Sequence, residues 1–360
     1  MKGLILSGGA GTRLRPITHT SAKQLVPIAN KPILFYGIEA MVDAGIRQIG
    51  IVVGHTEPEI RAAVGDGSRW GVDVTYLPQD APLGLAHAVL IARDFLGDDP
   101  FVMYLGDNML EQDLTQFVDD FTEMDGRCPS ARILLKKVEN PKMFGVAELG
   151  DGGAVRQLVE KPDEPASDLA LVGIYLFNRA IHDAVRSIRP SERGELEITD
   201  AIQWLIDSGD LVEHRELQGW WIDTGKKDPL LECNQLVLDT IHTDLAGVLD
   251  ADTTIEGPVL VEAGARIENS LLRGPLVIGR GTVVTDSELG PYVSIGTDCR
   301  INGSRIDHSV LLEGVRIDRV TGLTESLIGR EAIIEGPSAT PLRLMVGDHS
   351  SVALESADHG

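Results

Sequence analysis

The sequence predicts an α/β fold class in two parts, a Rossmann-like part with a mostly parallel sheet and a left-handed parallel β-helix of hexapeptide repeats. The first part is predicted because apolar segments without alternation are followed by helical patterns and by turns rich in glycine. The second is predicted because aliphatic residues recur every six positions after about residue 245. We place the two domains at residues 1–240 and 241–360.

The first part alternates between strand and helix patterns in chain order. The segments, in order, are the strand KGLILS, the helix KPILFYGIEAMVDAG, the strands QIGIVVG and GVDVTYL, the helix LAHAVLIARDFLG and the strand PFVMYLGD. Gly45 ends the first helix as a C-cap residue. Ligands of such sheets bind beyond the carboxyl ends of the strands, where the turns after Leu6 and Leu105 lie.

The second part is defined by its period. The six-residue pattern comprises Ile255, Val261, Ile267, Val277, Val283, Leu289, Ile295, Ile301, Leu311 and Ile317. Two steps in it are ten residues long, which we interpret as four-residue insertions that form loops at the corners. The pattern fades near residue 335, so a loosely held C-terminal tail is predicted. A β-helix has flat faces and open ends, and we expect self-association into a homo-oligomer to cover them.

Composition excludes several classes of function. A net charge of -23 argues against nonspecific binding to nucleic acid or to an anionic membrane. The chain has no run of 18 apolar residues and no signal-peptide pattern at its start, so a cytoplasmic location is expected. Cys128, Cys233 and Cys299 are too few and too far apart for a disulfide framework or a zinc site, and we expect inert thiols.

The turn after the first strand, LSGGAGTRLRPIT, combines glycines with cations. It matches neither a Walker A loop nor the dinucleotide fingerprint. No acidic residue occurs before Glu39, although Lys2, Arg13, Arg15, Lys23 and Lys31 all precede it. Glycines allow backbone amides to approach a phosphate closely, and Arg13 and Lys23 would add positive charge. A tight turn with solvated arginines is the alternative interpretation.

Two aspartates and one lysine add to this chemistry. Asp107 and Asp223 each follow an apolar strand at a glycine-flanked turn, and a pair of carboxylates can hold Mg²⁺ beside phosphate oxygens. Lys161, in Glu160-Lys161-Pro162, could hold a phosphate as a point charge. Taken singly, each residue could instead be a turn, capping or surface residue.

Taken together, the motifs resemble one family over residues 1–240. GGAGTRLRPIT, AKQLVPIANKP, PLGLAHA, LGDN, EKP, RGELEITD and WIDTG stand in the order found in sugar nucleotidylyltransferases. The resemblance is greatest to the branch that joins dTTP to α-D-glucose 1-phosphate with Mg²⁺, releasing pyrophosphate. It implies an enzyme of deoxysugar biosynthesis, including antibiotic sugars, in a long form that carries a β-helix.

The resemblance also implies roles for individual residues. The nucleotide would contact Gly8, Gly11, Thr12, Arg13 and Lys23, with Arg13 at the leaving pyrophosphate and Lys23 at the phosphates of both substrates. The thymine ring would lie among Gln79, Gly84, Leu85 and Leu105. Mg²⁺ would bind Asp107 and Asp223. The sugar phosphate would bind Lys161 and Arg193 near Thr199, and the sugar would lie among Gly145, Glu160 and Leu171.

Three positions depart from the family pattern and leave substrate choice open. Leu83 stands where Asp is common, His87 where Gln is common, and Val172 where a small polar residue is common. UTP and glucosamine 1-phosphate therefore stay alternative substrates, and His87 is expected to be a packing residue.

The class of protein also has two competing interpretations. His308 could serve an acetyltransferase site in an insertion loop of the β-helix. The chain could also be an inactive regulatory copy, although Arg13, Asp107 and Lys161 are all present.

Overall fold

The computed structural model describes residues 1–119, 121, 129–337 and 341–354. The chain divides into two compact units, each made of two stretches of sequence. The first unit comprises Met1–Ala10 and Leu34–Trp221, and the second comprises Gly11–Ile33 and Ile222–Gly360. The segment Gly11–Ile33 thus belongs with the C-terminal part of the chain. The predicted domain boundary at residue 240 follows the sequence motifs and stays a prediction.

The first unit is built on a nine-stranded sheet. Its strands are β1 (Lys2–Leu6), β2 (Gln48–Val53), β3 (Asp73–Pro78), β4 (Phe101–Leu105), β5 (Ala131–Lys137), β6 (Gly145–Leu149), β7 (Val155–Glu160), β8 (Leu169–Phe177) and β9 (Val212–Glu216). The order β9-β5-β8-β4-β1-β2-β3 forms the main path, and the hairpin β6-β7 joins one end of β8. Strands β1 to β4 are parallel and β8 is antiparallel to β4. The predicted mostly parallel sheet is therefore confirmed.

The helices of the described chain are short. They are α1 (Ile33–Asp43), α2 (Glu57–Val64), α3 (Leu85–Ile91), α4 (Arg93–Leu96), α5 (Thr115–Val118), α6 (Ile181–Ser187), α7 (Ile198–Asp207) and α8 (Lys227–Leu238). The predicted helix LAHAVLIARDFLG is split at Ala92 into α3 and α4. One core cluster joins α3, α6 and α7 to the sheet, with Phe101 and Phe177 fully buried.

Short elements complete the chain. Turns of 3-10 helix span Thr12–Leu14, Ile17–His19, Lys23–Leu25, Ser68–Trp70, Pro141–Met143 and Asp151–Gly153. Short strands span Pro27–Ile28, Lys31–Pro32, Asn108–Leu110 and Trp221–Asp223. Among the residues that the structure describes, no helix is both long and apolar enough to cross a membrane.

The second unit contains three parallel sheets, and neighbouring strands of each sheet come from successive coils of the chain. One sheet has the strands Asp244–Leu245, Val259–Val261, Leu276–Ile278, Val293–Ile295, Val310–Leu311, Leu327–Ile328 and Met345–Val346. The second has Val248–Leu249, Arg266–Glu268, Val283–Thr285, Arg300–Asn302, Arg316–Asp318, Ile333–Glu335 and Ser351–Ala353. The third has Thr254–Glu256, Leu271–Arg273, Glu288–Leu289 and Arg305–Ile306. This is the predicted parallel β-helix; its handedness stays a prediction.

The period of the β-helix differs from the predicted one. Hydrogen-bonded residues of successive coils are mostly 17 positions apart, because two sides of a coil advance six residues and the third advances five. The six-residue pattern was expected to mark the residues that point into the β-helix core, and this is wrong for Val277 and Val283, since Ile278 and Val284 lie in the core cluster instead. The ten-residue steps contain no insertion. At each of these steps the chain passes along the five-residue side of the coil. The interior residue of that side, such as Leu272, does not fit a spacing of exactly six and was therefore left out of the pattern.

Buried serines close the corners between the short side and its neighbours. The Ser270, Ser287, Ser304, Ser309 and Ser326 hydroxyls each donate to the backbone carbonyl two residues earlier. Each also accepts a backbone N–H from the next coil, as Ser287 Oγ does from Ser304 at 3.1 Å. All five serines are at most 5% exposed. These ladders satisfy backbone groups that the tight corners would otherwise leave unpaired.

The repeat extends further than predicted. Met345–Val346 and Ser351–Ala353 pair with the preceding coil in register, so the predicted loosely held tail is wrong up to Ala353. The sheets continue there because Val346 and Val352 still point toward the interior cluster. Residues 355–360 lie outside the described residues.

Candidate active site

The carboxyl ends of β1, β2 and β3 meet around Gly8, as the parallel sheet predicts. A Cβ atom on Gly8 would lie 3.1 Å from Gln79 Oε1, and one on Gly54 would lie 2.8 Å from the Gly8 carbonyl oxygen. Gln79 follows β3, and its backbone N–H donates to the Val53 carbonyl at 2.8 Å. The first predicted nucleotide contact and the predicted base-reading amide thus lie side by side.

His87 does more than pack. Its Nδ1 lies 2.9 Å from Gln79 Nε2. An amide nitrogen can only donate, so His87 Nδ1 is the acceptor and the Gln79 Oε1 atom is turned toward Gly8. The prediction of a simple packing histidine is therefore wrong, since His87 sets the orientation of the amide.

Gly84 joins the predicted base loop to the loop before α7. Its φ of 103° favours glycine, and a Cβ atom there would lie 2.3 Å from the Leu196 carbonyl oxygen. Leu196 N–H donates to the Leu83 carbonyl at 2.7 Å, and Ala86 N–H donates to the Leu196 carbonyl at 3.0 Å. Leu85 follows, half-buried, as the first residue of α3. The base loop and the RGELEITD loop are therefore one hydrogen-bonded layer.

The predicted sugar-phosphate residues form one group, which we call the Glu160 cluster. Its members are Gly145, Glu160, Lys161, Leu171, Arg193 and Thr199. Gly145 faces Glu160 in the antiparallel pairing of β6 and β7. A Cβ atom on Gly145 would lie 2.7 Å from Thr199 Cγ2, 3.1 Å from Glu160 Oε2 and 3.6 Å from Leu171 Cδ1.

Two cations of the cluster point at one carboxylate oxygen. Lys161 Nζ lies 3.2 Å and Arg193 Nη1 lies 3.5 Å from Glu160 Oε1. Thr199 Oγ1 donates to Glu160 Oε2 at 3.4 Å. Burial raises the pKa of Glu160, while Lys161 and Arg193 oppose this shift and Glu197 adds to it. Both cations keep about two fifths of their side-chain surface exposed, so an incoming anion can reach them.

Glu197 belongs to this site and was not predicted. Its side chain is 5% exposed, and Oε1 lies 3.3 Å from Arg193 Nη1 and accepts from Ser191 Oγ at 2.8 Å. Arg193 Nη2 also lies 3.2 Å from Glu195 Oε2. The signal in the sequence was the pair of acidic residues two and four positions after Arg193. These carboxylates fix the direction of the guanidinium.

Asp107 lies at the turn after β4. The Gly106 N–H donates to the Leu6 carbonyl at 3.0 Å, which fixes the turn beside β1. Asn108 Nδ2 donates to Asp107 Oδ1 at 3.2 Å, and Asn108 Oδ1 accepts from Trp221 Nε1 at 2.6 Å. Leu105 is half-buried, and a Cβ atom on Gly173 would lie 2.6 Å from it. Asn108 was not predicted, although it follows Asp107 in LGDN.

The remaining predicted residues lie in the second unit. Gly11, at a φ of 62°, packs so tightly that an added Cβ atom would lie 3.0 Å from Lys23 Cβ. Arg13 Nη2 lies 3.5 Å from Asp223 Oδ2. The Gly225 N–H donates to Asp223 Oδ1 at 2.9 Å. Thr12 is exposed at the start of the 3-10 turn that carries Arg13.

Two further residues of the N-terminal stretch have surroundings that the sequence did not predict. Lys2 pairs with Asp99 at 3.0 Å and donates to the Phe95 carbonyl at 2.7 Å, which is a structural role. Gln24, next to Lys23, is 1% exposed, and neither of its side-chain polar atoms has a hydrogen-bond partner in the part of the chain that is described. A buried amide of this kind marks Gln24 as a candidate site residue that the sequence motif alone did not single out.

The donor set suits a hard cation. Within the described ranges, no group of three or more His, Cys, Asp or Glu side chains could form a metal cage. Mg²⁺ needs no such cage, because it binds through one or two carboxylates and completes its shell with water and substrate phosphates. Asp107 and Asp223 are therefore suitable ligands, and their assignment to Mg²⁺ stays a prediction.

The thiols and His308 take no part in this chemistry. Cys233 and Cys299 are free and buried, and burial raises the pKa of each thiol to about 12, as expected for inert residues. Cys128 lies outside the described residues. His308 occupies a tight corner of the β-helix and not an insertion loop, with Nδ1 2.9 Å from Asp307 Oδ1 and its ring against Tyr292.

Comparisons with known proteins identify the family of the chain. A profile of the family described as nucleotidyl transferase matches residues 2–240. The chain is 53% identical to the glucose-1-phosphate thymidylyltransferase of Streptomyces griseus, covering 99% of this chain and 100% of that one. It is 46% identical to a low-salt glycan biosynthesis nucleotidyltransferase of Haloferax volcanii, covering 98% and 100%. A solved Bacillus anthracis structure, described as a glucose-1-phosphate thymidylyltransferase in complex with a sucrose, superposes with a TM-score of 0.62 at 36% identity, covering 68% and 98%.

Proposed function

The chain belongs to the nucleotidyl transferase family, and from this premise we propose that it is a glucose-1-phosphate thymidylyltransferase. It transfers the thymidylyl group of dTTP to α-D-glucose 1-phosphate and releases pyrophosphate. The observation that carries this proposal is the similarity to the Streptomyces griseus enzyme, which extends over the β-helix as well as the first 240 residues. The Glu160 cluster supports it, because it offers two cations and a hydrogen-bond acceptor within one pocket wall.

The reaction asks the chain for positioning and charge neutralisation. A phosphate oxygen of glucose 1-phosphate forms a bond to the α-phosphorus of dTTP. The bond from that phosphorus to the oxygen bridging to the β-phosphate breaks, and its electron pair leaves with pyrophosphate. No proton transfer is required between the two phosphates, so the main barrier is the approach of two anions.

The sugar phosphate is held by the Glu160 cluster. Lys161 and Arg193 present their exposed side-chain ends to the phosphate oxygens, and Glu195 and Glu197 keep the direction of the Arg193 guanidinium. Glu160 then accepts hydrogen bonds from sugar hydroxyls. Gly145 has no side chain, so the space beside Thr199 and Glu160 stays free for the sugar ring. Leu171 and Thr199 form the rest of the pocket wall.

The thymine ring is read by Gln79 and Gly84 and packs against Leu85 and Leu105. The contact with His87 orients the Gln79 amide, so that its Oε1 atom can accept from N3–H of a pyrimidine dione. Uracil offers the same edge, and the thymine methyl group adds only a small area. We therefore propose dTTP as the preferred nucleotide and UTP as a slower one.

The triphosphate is bound by the glycine turn and the basic segment after β1. Gly8, Gly11 and Thr12 present backbone groups, Lys23 binds phosphate oxygens, and Arg13 stabilises the charge that develops on pyrophosphate. Asp223 holds the Arg13 guanidinium in place until the nucleotide arrives. Asp107 and Asp223 would hold Mg²⁺, which would supply further neutralisation of the phosphate charge.

Pyrophosphate release is the direct test. The purified chain is incubated with Mg²⁺, glucose 1-phosphate and each of dTTP, UTP, ATP, CTP and GTP in parallel. We expect the largest kcat/KM with dTTP, and no release when the sugar phosphate is left out. Turnover only with glucosamine 1-phosphate or mannose 1-phosphate would overturn the choice of sugar, and the absence of turnover with every pair would overturn the proposed function.

Further proposals concern the setting of the enzyme. Its product suits the first step of deoxysugar biosynthesis, and we place it in the cytoplasm, where nucleotide substrates are found. We propose a homo-oligomer. The surroundings of His308 do not favour an acetyltransferase, because its Nδ1 atom is engaged by Asp307 and its ring by Tyr292.

A further inference from the structure

The segment Gly11–Ile33 carries the two cations proposed to bind the triphosphate, and it belongs to the same compact unit as the β-helix. Its elements are short 3-10 turns and two-residue strands, so little regular hydrogen bonding within the segment fixes its shape. Contacts to other parts of the second unit must therefore determine where Arg13 and Lys23 lie.

Asp348, in the last coil of the β-helix, accepts hydrogen bonds from the turn between Arg13 and Lys23. The hydroxyls of Thr20 and Ser21 donate to Asp348 Oδ2 at 2.7 and 3.2 Å. The Arg330 N–H donates to Asp348 Oδ1 at 2.8 Å, and Arg330 Nη1 donates to Ser21 Oγ at 3.1 Å. Oδ2 of this carboxylate thus joins the segment to the β-helix, while Oδ1 fixes the carboxylate on the preceding coil.

The neighbouring residue makes the fit close. Gly347 is buried, and a Cβ atom there would lie 3.1 Å from Pro16 Cβ and 3.4 Å from the Pro16 carbonyl oxygen. Pro16 follows Arg13 by three positions and has a restricted backbone. The last coil therefore contacts the segment on both sides of the stretch between Pro16 and Ser21.

A second anchor lies beyond Lys23. Asn30 Nδ2 donates to the Ile295 carbonyl at 2.6 Å. The buried Asn234 of α8 accepts from the Ala29 N–H at 2.9 Å and from Ser294 Oγ at 2.7 Å. Lys23 is therefore held between an anchor at residues 20–21 and another at residues 29–30.

We propose that Asp348 is a positioning residue for the transfer reaction, which fixes Arg13 and Lys23 by holding the turn at Thr20 and Ser21 on the β-helix. The β-helix is then a scaffold for the triphosphate site, contributed by the same chain. This inference rests on the proposed function, since it gives the two cations their role. Asp348 itself touches no substrate, and its effect passes through the hydrogen bonds of the turn.

The test compares Asp348→Ala with a matched β-helix variant, Asp286→Ala. Asp286 also lies at a β-helix corner, where its Oδ1 atom accepts from Asn269 Nδ2. We expect Asp348→Ala to lower kcat/KM roughly 10- to 100-fold, because small misplacements of charged groups are costly in such reactions. Asp286→Ala should stay within about twofold of the wild type. Asp348→Asn should recover part of the loss, since one acceptor oxygen is kept.

Thr20→Val closes a double-mutant cycle. Alone it should lower kcat/KM, and in the Asp348→Ala background it should add little, because both changes break the same contact. All assays are run well below the melting temperature of each variant. A lower melting temperature with unchanged kcat/KM in Asp348→Ala, or fully additive effects in the cycle, would overturn the positioning role.

Two readouts separate this inference from the proposed function. Hydrogen exchange of the backbone amides of residues 11–33 should be about tenfold faster in Asp348→Ala, while the amides of β1 stay unchanged. The Kd of dTTP with Mg²⁺, measured by calorimetry, should rise about tenfold. If the wild type shows no turnover, the proposed function fails, and the hydrogen-exchange comparison still decides whether Asp348 holds the turn at Thr20 and Ser21. Unchanged exchange, or an unchanged Kd in a chain that binds dTTP, would refute the inference.

Discussion

Glu160 shows how one half-buried carboxylate can keep two cations in position for a phosphate. Lys161 and Arg193 approach the same oxygen of Glu160, and Thr199 approaches the other. Because burial is the largest cause of its shift, the pKa of Glu160 is raised, and the carboxyl takes up a proton at a higher pH than a free glutamic acid does. The folded chain therefore gains stability as pH falls through this range and loses it as pH rises, until the carboxyl is ionised in both states.

Protonation of Glu160 should be visible in sugar binding. The ionised carboxylate accepts hydrogen bonds at both oxygens, so we expect the KM for glucose 1-phosphate to rise as pH falls through the raised pKa. In Glu160→Gln the KM should be about tenfold higher at neutral pH, from the loss of a hydrogen bond to a charged group. KM is measured from pH 5 to 8 for both enzymes. The substrate phosphate titrates in both, so only the difference between the profiles counts. Identical profile shapes would contradict the assignment.

Asp107 tests the metal assignment at a single side chain. Asp107→Asn keeps the size and the contact with Asn108 but removes the charge. We expect kcat to fall by at least about 100-fold, as for the removal of one group that stabilises the transition state, with a melting temperature close to that of the wild type. Asp151→Asn, at an exposed 3-10 turn, is the control. Undiminished activity of Asp107→Asn would refute the assignment of Asp107 to Mg²⁺.

At the scale of elements, the sequence predicted where strands and helices lie better than it predicted close contacts between residues that are distant in sequence. Strands β1 to β4 and helices α1 and α3 were located from their apolar patterns, because a buried parallel strand and a capped helix leave local signals. The fit of Gly84 against Leu196 could not be predicted, since the two residues are distant in sequence and it is the neighbours Leu83 and Ala86 that hydrogen-bond to Leu196. The 17-residue coil was misread as six-residue steps, and the serine ladders recur only at that longer spacing.

The contact of Gly84 with Leu196 predicts a coupled defect. Gly84→Ala forces a Cβ atom against the Leu196 carbonyl in a left-handed conformation. We expect a destabilisation of roughly 1–3 kcal/mol and a higher KM for dTTP. Gly152→Ala is the matched control, because Gly152 also has a positive φ of 82° but its added Cβ atom meets nothing within 4 Å. Thermal melting and KM measurements compare the two. Equal effects of Gly84→Ala and Gly152→Ala on the KM for dTTP would contradict a role for the contact between residue 84 and the Leu196 carbonyl.

The serine ladder predicts a cost confined to stability. Ser287→Ala leaves the Ser304 N–H and the Thr285 carbonyl without this partner at a buried corner. We expect about 1–3 kcal/mol of destabilisation, seen as a lower melting temperature, with kcat/KM unchanged. Thr285→Ala, which removes an exposed hydroxyl that donates to Asn302, is the control and should change little. A melting temperature of Ser287→Ala equal to that of the control would contradict the role of the ladder.

At the scale of the whole molecule, candidate site residues could be named from the sequence, whereas the contacts that hold them in place could not. Motif order singled out Arg13, Glu160 and Lys161 as candidates, because local spacing carries that information. Thr20 and Asp348 are 328 positions apart, and no periodic pattern links them. The grouping of Gly11–Ile33 with the β-helix was therefore absent from the prediction, which gave the β-helix a role in self-association and, as an alternative, an acetyltransferase site at His308.

Self-association is a separate expectation for the whole chain. The first coil of the β-helix ends two sheets, and Val248 and Leu245 on its strands are 66% and 42% exposed. Exposed apolar strand edges favour association. Light scattering should give a mass that is a multiple of 38.8 kDa, independent of protein concentration in the micromolar range. A stable monomer would contradict this.

The two anchors of the segment Gly11–Ile33 also limit how the β-helix can vary in length. Ile295 and Val346, beside the anchors, lie in the same sheet and are three rungs apart, roughly 14 Å at the usual strand spacing. The coils between them fix the distance between the two anchors. A duplicated or deleted coil within this interval would move one anchor by a whole rung relative to the other. Natural and engineered length changes are therefore not expected between Val293 and Val346.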